Sequence, residues 1–300
     1  MVAKVKLKLT SDNQQATDKL FYGLNVDKVK SNLFENEKFH KWTTSVTKSY
    51  SENPLAGDMA MVVTLSARYG DETLASMLTA AKEVKSTKNV AEDMIKAQNL
   101  KWAQEGKSTE DVFKILKLDD LFDGPSASRW IGYVTKVSDE DPHKMLFLKL
   151  SKQYDDEELA KLIQRTKYST DEIILVDNLE TLLFRRWRNT KKSAEDVYKI
   201  LRLQDDEATN LLSNPALNIW LEYVRVYVKF EDKYQFLIKK LAKHYDDKNL
   251  VNFLLATRKS ENTVAIGALL LPKLPEYWLK QGKSSDEIAT IWKLSNGGLR

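Results

Sequence analysis

Cysteine is absent from the 300-residue sequence, and proline and glycine are scarce, with six and ten residues respectively. The lack of thiols excludes disulfides, zinc fingers and thiol catalysis, so the fold must be held together by packing alone. Few glycines and prolines suit long helices and argue against a turn-rich sheet protein. The longest apolar run, VAIGALLLP at 264–272, is too short to cross a bilayer.

An excess of one charge is also missing. The 47 basic and 43 acidic residues leave a formal net charge of +4, which gives little electrostatic reason to expect nucleic acid as a partner. The first ten residues, MVAKVKLKLT, lack the apolar core of a secretory signal. The sequence therefore predicts either an intracellular protein or one whose leader has been removed. Its length suits a globular chain of one to three domains.

The segment WAQEGKSTEDVFKILKL at 102–118 contains GKST, which is similar to the tip of a phosphate-binding loop. A true loop of this kind needs another glycine five residues earlier, where the sequence has Lys101. A second copy, WRNTKKSAEDVYKILRL at 187–203, has Lys191 in place of the glycine, and a third copy lies at 278–294. The recurrence favours helix punctuation, and a nucleotide binder is kept as a minor alternative.

Each copy indicates the end of one helix and the start of the next. A glycine just beyond a helix, as at Gly106 and Gly282, closes it in the left-handed conformation. The following serine is predicted to form a capping box with an acid three residues later. The pairs are Ser108 with Asp111, Ser193 with Asp196, and Ser284 with Glu287. Apolar residues then recur at helical spacing, so each copy predicts helix–turn–helix.

Two further blocks repeat in the same order. One has a tyrosine that ends a predicted helix, followed two residues later by an aspartate predicted to cap the next helix. Its copies are Tyr69 with Asp71, Tyr154 with Asp156, and Tyr245 with Asp247. The other block ends on Trp42, Trp130 and Trp220, and two copies contain a proline that suits the first turn of a helix, Pro125 and Pro215.

These repeats predict an all-α fold of tandem helical-bundle units. Equivalent aromatic residues are spaced by 85 to 91 positions, which exceeds the roughly 33–47 residues of the common short helical solenoids. We predict an N-terminal arm at 1–11, whose order the sequence leaves open, and three full units. The units lie at 12–84, 85–168 and 169–259, with a partial fourth unit or C-terminal cap at 260–300.

The recurring aromatic residues are predicted to anchor one small core per unit. Burial of such a side chain removes on the order of 150–250 Å² from water. The predicted repeat core consists of Trp42, Tyr69, Trp130, Tyr154, Trp220 and Tyr245. The predicted packing residues of the helix–turn–helix blocks are Leu116, Leu118, Leu201, Leu203, Trp102, Trp187 and Trp278. A ligand-stacking cage built from the same aromatics is the less favoured alternative.

Catalytic and metal-binding patterns are not evident in the sequence. The three histidines, His40, His143 and His244, are about a hundred residues apart, so no pair has helical ligand spacing. Paired aspartates precede predicted helices, where capping explains them better than acid–base chemistry does. The pairs are Asp119/Asp120, Asp155/Asp156, Asp205/Asp206 and Asp246/Asp247. We therefore predict no enzyme, no cofactor and no metal site.

The most basic run is RRWRNTKK at 185–192. Its tryptophan belongs to the repeat, but its cations are unusual among the copies, since the earlier copy reads LKWAQEGK. Copy-specific residues on a shared scaffold are candidates for partner recognition. The predicted partner-binding residues are therefore Arg185, Arg186, Arg188 and Lys191.

With these three blocks the sequence resembles the tandem WY/LWY-repeat effectors of oomycete pathogens, within the larger RXLR effector class. The W positions would be Trp42, Trp130 and Trp220, and the Y positions Tyr69, Tyr154 and Tyr245. The L block would be DVFKILKL and DVYKILRL, with a divergent copy at EIATIWKL. The Arg-x-Leu-Arg motif of the full-length pattern is not in this sequence, so the resemblance is to a mature effector region.

The resemblance implies a secreted virulence effector that forms a monomeric rod of helical bundles. It would bind and redirect a host protein in the plant cytoplasm, with the nucleus as a further location. The implied partner is the scaffold subunit of the type 2A serine/threonine phosphatase, through imitation of a regulatory subunit; other members bind trafficking, autophagy or silencing components. The alternative from another class is a generic intracellular helical-repeat scaffold. Neither a nucleic acid nor a membrane is expected as a partner.

Overall fold

The computed structural model describes residues 11–119, 122–166, 172–205, 208–228, 233–257 and 263–296. Residues 1–10 of the predicted arm at 1–11 lie outside the described residues. Asp120 and Asp206 of the acid pairs also lie outside them. Every regular element in these ranges is a helix, which confirms the predicted all-α fold. The chain forms two compact units, which are described one at a time; the division into repeats stays a prediction.

The first unit comprises residues 11–149 and 172–175 of the described chain. Its helices are α1 (Ser11–Gly23), α2 (Glu37–Ser49), α3 (Pro54–Tyr69), α4 (Asp71–Lys82), α5 (Lys88–Gln104), α6 (Thr109–Ile115), α7 (Gly124–Val137) and the start of α8 (Pro142–Gln153), with short 3₁₀ turns at Val26–Lys28 and Leu33–Glu35. Helix α3 packs against α1, α2, α4 and α5. Its residues are buried on nearly every side, as a central helix requires.

The second unit comprises residues 150–166 and 176–296 of the described chain. Its helices are the remainder of α8, α9 (Asp156–Thr166), α10 (Ile173–Asn189) from Val176 onward, α11 (Ala194–Ile200), α12 (Ala208–Leu211), α13 (Pro215–Tyr223), α14 (Lys233–Leu241), α15 (Asp247–Thr257), α16 (Val264–Leu270), α17 (Leu274–Lys280) and α18 (Ser285–Asn296), with a π-helical segment at Val224–Val228 and a 3₁₀ turn at Leu271–Lys273. Helix α13 packs against α9 and α11, and α15 packs against α16 and α18.

The predicted helix punctuation is confirmed. Ser108 and Ser193 each accept a hydrogen bond from the backbone of the acid three residues later, and that acid accepts one from the serine backbone in return. Gly106 and Gly282 have φ of 72° and 85°, and Lys191 adopts the same left-handed conformation with φ of 54°. The turn therefore needs no glycine, and these loops serve the architecture.

The prediction that Asp71, Asp156 and Asp247 cap their helices is wrong. The caps are the preceding acids, because the carboxylates of Asp155 and Asp246 each accept a backbone N–H from three residues later at 2.8 Å. In the first copy the position before Asp71 is a glycine, which offers no side chain. Asp156 and Asp247 instead each accept a hydrogen bond from a buried tryptophan.

Candidate partner-binding surface

The tryptophans of the W block lie in the two cores, and each ties its helix to another. Trp42, Trp130 and Trp220 are all fully buried. The indole N–H of Trp130 donates to the carbonyl of Thr109 at 2.8 Å, and that of Trp220 donates to Ala194 at the same distance. Both acceptors are the first residue of a capped L-block helix. Within each unit these bonds join the W helix to the L helix.

A second set of buried tryptophans lies at the ends of α5, α10 and α17. The indole N–H of Trp187 donates to Asp156 at 2.7 Å, and that of Trp278 donates to Asp247 at 2.7 Å. In every copy, including Trp102 with Asp71, the aspartate precedes the tryptophan by 31 positions. In two of the three copies the repeated aspartate is therefore a hydrogen-bond acceptor for an indole, which explains why it recurs there without capping a helix.

The same aspartates each pair with a cation. Lys101 contacts Asp71 at 3.1 Å, and Arg186, which is equivalent to Lys101 in the repeat, contacts Asp156 at 3.1 Å. Burial raises the pKa of Asp71, but the hydrogen bond and positive charge of Lys101 are among the causes that outweigh burial, so the net pKa lies below its ordinary value. Arg186 therefore belongs to the scaffold as much as to the surface.

The tyrosines of the Y block, Tyr69, Tyr154 and Tyr245, are half-buried. Tyr245 stacks on Phe253 with ring centroids 4.8 Å apart. Tyr154 lines an open cleft next to α9. These rings lie at the margin of the cores.

Two tyrosines that the sequence analysis missed are fully buried. The hydroxyl of Tyr133 donates to the carbonyl of Lys107 at 2.5 Å, and that of Tyr223 donates to Lys192 at 2.7 Å. Burial raises the pKa of both hydroxyls. Each tyrosine lies three positions after the block tryptophan, so the repeat alignment held a signal for them.

The leucines of the L block also lie in the cores. Leu116, Leu118, Leu201 and Leu203 are buried. In the divergent third copy, Leu294 is equivalent to Leu118 and Leu203, and its side chain is 58% exposed.

The predicted partner-binding cations lie at the end of α10 and in the turn beyond it. Arg185, Arg188 and Lys191 are exposed, and the guanidinium of Arg188 lies 5.9 Å from the ring centre of Tyr227. In the earlier copy these three positions are Leu100, Ala103 and Gly106. We call Arg185, Arg188 and Lys191 the basic edge; Arg186 differs from them, since its cation is shared with the earlier copy.

The surface offers little for chemistry in the part of the chain that the structure describes. No group of three His, Cys, Asp or Glu side chains there is placed to hold a metal ion. His143 contacts Asp141 at 3.7 Å near the start of α8. Among the described helices, none is both long enough and apolar enough to span a bilayer.

The chain is similar to several known proteins. A family model described as "Effector PexRD54, WY-domain" matches residues 182–224, which include the basic edge. RxLR effector protein CRE15 from Phytophthora infestans (strain T30-4) is 33% identical over 261 residues, which cover 86% of this chain and 73% of CRE15.

Longer relatives show the same similarity. RxLR effector protein PSR2 from Phytophthora sojae is 28% identical over 300 residues, covering 98% of this chain and 44% of PSR2. The chain thus spans less than half the length of that relative. The crystal structure of PcRxLR12 matches with a TM-score of 0.63 and 30% identity, over 93% of this chain and 67% of PcRxLR12.

Proposed function

Because this chain belongs to the RxLR effectors that contain WY-type repeats, we propose that it is a secreted virulence effector that works as a non-enzymatic adapter inside the host plant cell. It binds a host protein and redirects it. The names of the relatives support the effector class, and the helical repeat fold supports a role in display and binding.

The observation behind the adapter function is the contrast between shared and copy-specific residues. The buried tryptophans and their hydrogen bonds recur from copy to copy, so they serve the fold. The exposed cations of the basic edge replace a leucine, an alanine and a glycine of the earlier copy. Three positive charges near a helix end suit an acidic patch on a partner protein, where opposite charges speed and orient association.

The scaffold subunit of the type 2A serine/threonine phosphatase is the partner we favour, through imitation of a regulatory subunit. The resemblance to tandem WY/LWY effectors supports this choice, and the basic edge supplies a surface for it. The experiment is direct titration of the purified scaffold subunit with this chain, by calorimetry. Saturable binding would support the partner, and absence of heat at about 100 μM of both proteins would remove it.

A copy swap tests the basic edge without disturbing the fold. The triple variant Arg185→Leu, Arg188→Ala and Lys191→Gly gives this edge the residues of the earlier copy. Because Gly106 already occupies the equivalent turn with φ of 72°, the swap suits the backbone. We expect helical circular dichroism and melting temperature near those of the native chain, and partner capture from plant extract reduced at least about tenfold, or about 1.4 kcal/mol.

Arg186 is the matched control for this swap. Its substitution by Lys retains a cation for Asp156, as in the earlier copy, and should leave capture unchanged. Capture that is equally strong for the triple variant and the native chain would exclude the basic edge as the binding surface. A substitution of Arg186 by Glu is not a fair test, since it would place two carboxylates together beside the buried Trp187.

A further inference from the structure

A cavity of about 260 Å³ opens between α4, α5 and α7 of the first unit. Its lining side chains include four cations and one carboxylate, namely Lys82, Lys96, Arg129 and Lys136 against Glu92. Lys96 pairs with Asp93 at 2.9 Å, so the excess of positive charge rests on the other three cations. The cavity has room for one side chain of another molecule.

Arg129 forms the floor of this cavity and is only 6% exposed. Its guanidinium donates to the carbonyl of Ala75 at 3.1 Å and to the side-chain oxygens of Gln98 and Asn99. It also lies 4.9 Å from the ring centre of Trp102. All these partners are neutral, and the three bonds use three of its five N–H groups. Burial lowers the pKa of Arg129 to about 9, so the group stays charged at neutral pH.

The fold itself does not need an arginine at this position. The equivalent residue one copy later is Ile219, which is fully buried on the W helix of the second unit. No carboxylate contacts the Arg129 guanidinium directly, although the charge of Asp71 acts on it and opposes the effect of burial. A buried charge of this kind is costly, and an apolar residue of similar volume is often neutral or stabilising. Lys136 likewise corresponds to Val226, and Lys96 to Thr181. Lys82, in contrast, recurs one copy later as Lys167, and Lys41 and Lys48 of the first copy correspond to Arg129 and Lys136. This copy differs in that its cation at the Arg129 position is buried, whereas Lys41 is exposed.

Gly132 leaves open space in the wall of this cavity. It lies in the middle of α7, where glycine favours a helix less than alanine does. A Cβ built at Gly132 would meet no atom within 4 Å, so packing does not demand the glycine. The equivalent residue in the second unit is Glu222. A glycine with open space above it, in the wall of a cavity, suits the close approach of a ligand.

We propose that this cavity, the Arg129 pocket, binds the oxyanion of an acidic side chain on a partner protein. Arg129 donates from the floor, and Lys82 and Lys136 contact the anion at the rim. A carboxylate and a phosphate share this chemistry, since both accept paired N–H donors from a guanidinium. One further acid lies at the wall: the buried carboxylate of Glu172 accepts the hydroxyl of Ser128. With the Lys96–Asp93 pair set aside, the three remaining cations still outnumber the two acids, Glu92 and Glu172.

The pocket is tested with the whole chain and short peptides. The chain is labelled with ¹⁵N, and the Nε–H signal of Arg129 and the amide signal of Gly132 are followed. The probes are a Gly-Glu-Gly peptide, a Gly-phosphoserine-Gly peptide and a Gly-Gln-Gly peptide, all capped at both ends. We expect both signals to shift saturably with the two anionic peptides and to stay in place with the Gln peptide. The tighter of the two anionic peptides identifies the natural source.

Gly132→Glu is the blocking variant, because it places a carboxylate inside the pocket and improves helix propensity. We expect it to abolish the peptide-induced shift of Arg129 without lowering the melting temperature. Lys144→Glu, at an exposed position in the first turn of α8, makes a charge change outside the pocket and should bind like the native chain. Failure of both anionic peptides to shift Arg129 saturably, or equal shifts with the Gln peptide, would overturn the proposal.

The inference depends on the proposed adapter function in one respect only, namely that the anion belongs to a partner protein. The peptides need no host protein, so binding by the pocket and capture through the basic edge can fail separately. Loss of capture in the basic-edge swap with normal peptide binding would leave the pocket standing. The reverse result would leave the adapter function standing.

Discussion

Asp58 is a half-buried acid on α3 whose surroundings disfavour its charge. Burial is the main cause and repulsion by Asp93 adds to it, and together they raise the pKa of Asp58 to about 6. In the unfolded chain the ordinary value is near 4. Between these two values the folded state binds the proton more tightly, so the free energy of unfolding falls as pH rises from about 4 to about 6. Above that window the folded state retains the full cost.

Asp58→Asn should therefore stabilise the protein at neutral pH. Because Asp58 is partly solvated, we expect a gain of about 1 kcal/mol at pH 7.5, or a rise in melting temperature of roughly 2–4 °C. The gain should become small near pH 4, where the carboxyl is protonated in the folded state and about half protonated in the unfolded chain. Thermal melts of both proteins at pH 4 and pH 7.5 measure this. Asp139→Asn, at an exposed site, controls for removal of one negative charge, and a pH-independent gain at Asp58 would refute the assignment.

The role of single residues was predictable from sequence only where the local backbone dictates it. The spacing of Ser108 and Asp111 fixes a capping box, and the structure confirms it. The choice between the adjacent acids Asp155 and Asp156 was not readable, because both precede a helix and only the fold shows which one faces Trp187. The raised pKa of Asp58 likewise depends on neighbours that come together only in three dimensions.

At the scale of helices, the bond between Asp156 and Trp187 joins the start of α9 to the end of α10. Asp156→Ala would leave a buried indole N–H without its acceptor and Arg186 without its counter-charge. We expect a loss of about 2–3 kcal/mol in the free energy of unfolding, measured by urea denaturation. Asp155→Ala removes only the helix cap and should cost about 1 kcal/mol.

These adjacent substitutions separate two interpretations of the acid pair. If the second aspartate were the cap, the order of the two losses would be reversed. Asp156→Asn keeps an oxygen acceptor without the charge and should fall between the other two variants. An Asp155→Ala loss larger than that of Asp156→Ala would contradict the indole bond as the reason for the repeat.

Helix positions were largely predictable because apolar periodicity and caps act locally, whereas the role of each helix was not. The prediction places the tyrosines of the Y block in the cores, yet these are only half-buried, whereas Tyr133 and Tyr223 are fully buried. The expectation followed the most visible match between copies, and it overlooked the residue three positions after each block tryptophan. The predicted binding cations divide in the same way. Arg186 shares its cation with the earlier copy, and the fold adds that it forms an ion pair with Asp156, unlike the residues of the basic edge.

At the scale of the whole chain, the sequence repeats predict several small cores, and the structure has two compact units. Trp130 lies in the first unit, where it meets Phe113 at a centroid distance of 5.6 Å, and Trp220 lies in the second, stacked with Phe236 at 5.3 Å. Repeat proteins gain stability from separate modules and their neighbours, so damage need not spread evenly. The unit that contains the substituted residue should therefore lose the most stability.

Trp130→Ala and Trp220→Ala should each remove about 3–5 kcal/mol, but from different units. We expect native-state hydrogen exchange, read by mass spectrometry, to speed up most in residues 11–149 for Trp130→Ala and in residues 176–296 for Trp220→Ala. Trp130→Phe and Trp220→Phe retain most of the apolar volume. Each should reduce hydrogen-exchange protection in the same unit as its alanine variant, but by a smaller amount. Equal loss of protection in both units for either alanine variant would mean that the chain unfolds as one body, because a single cooperative transition exposes all amides together.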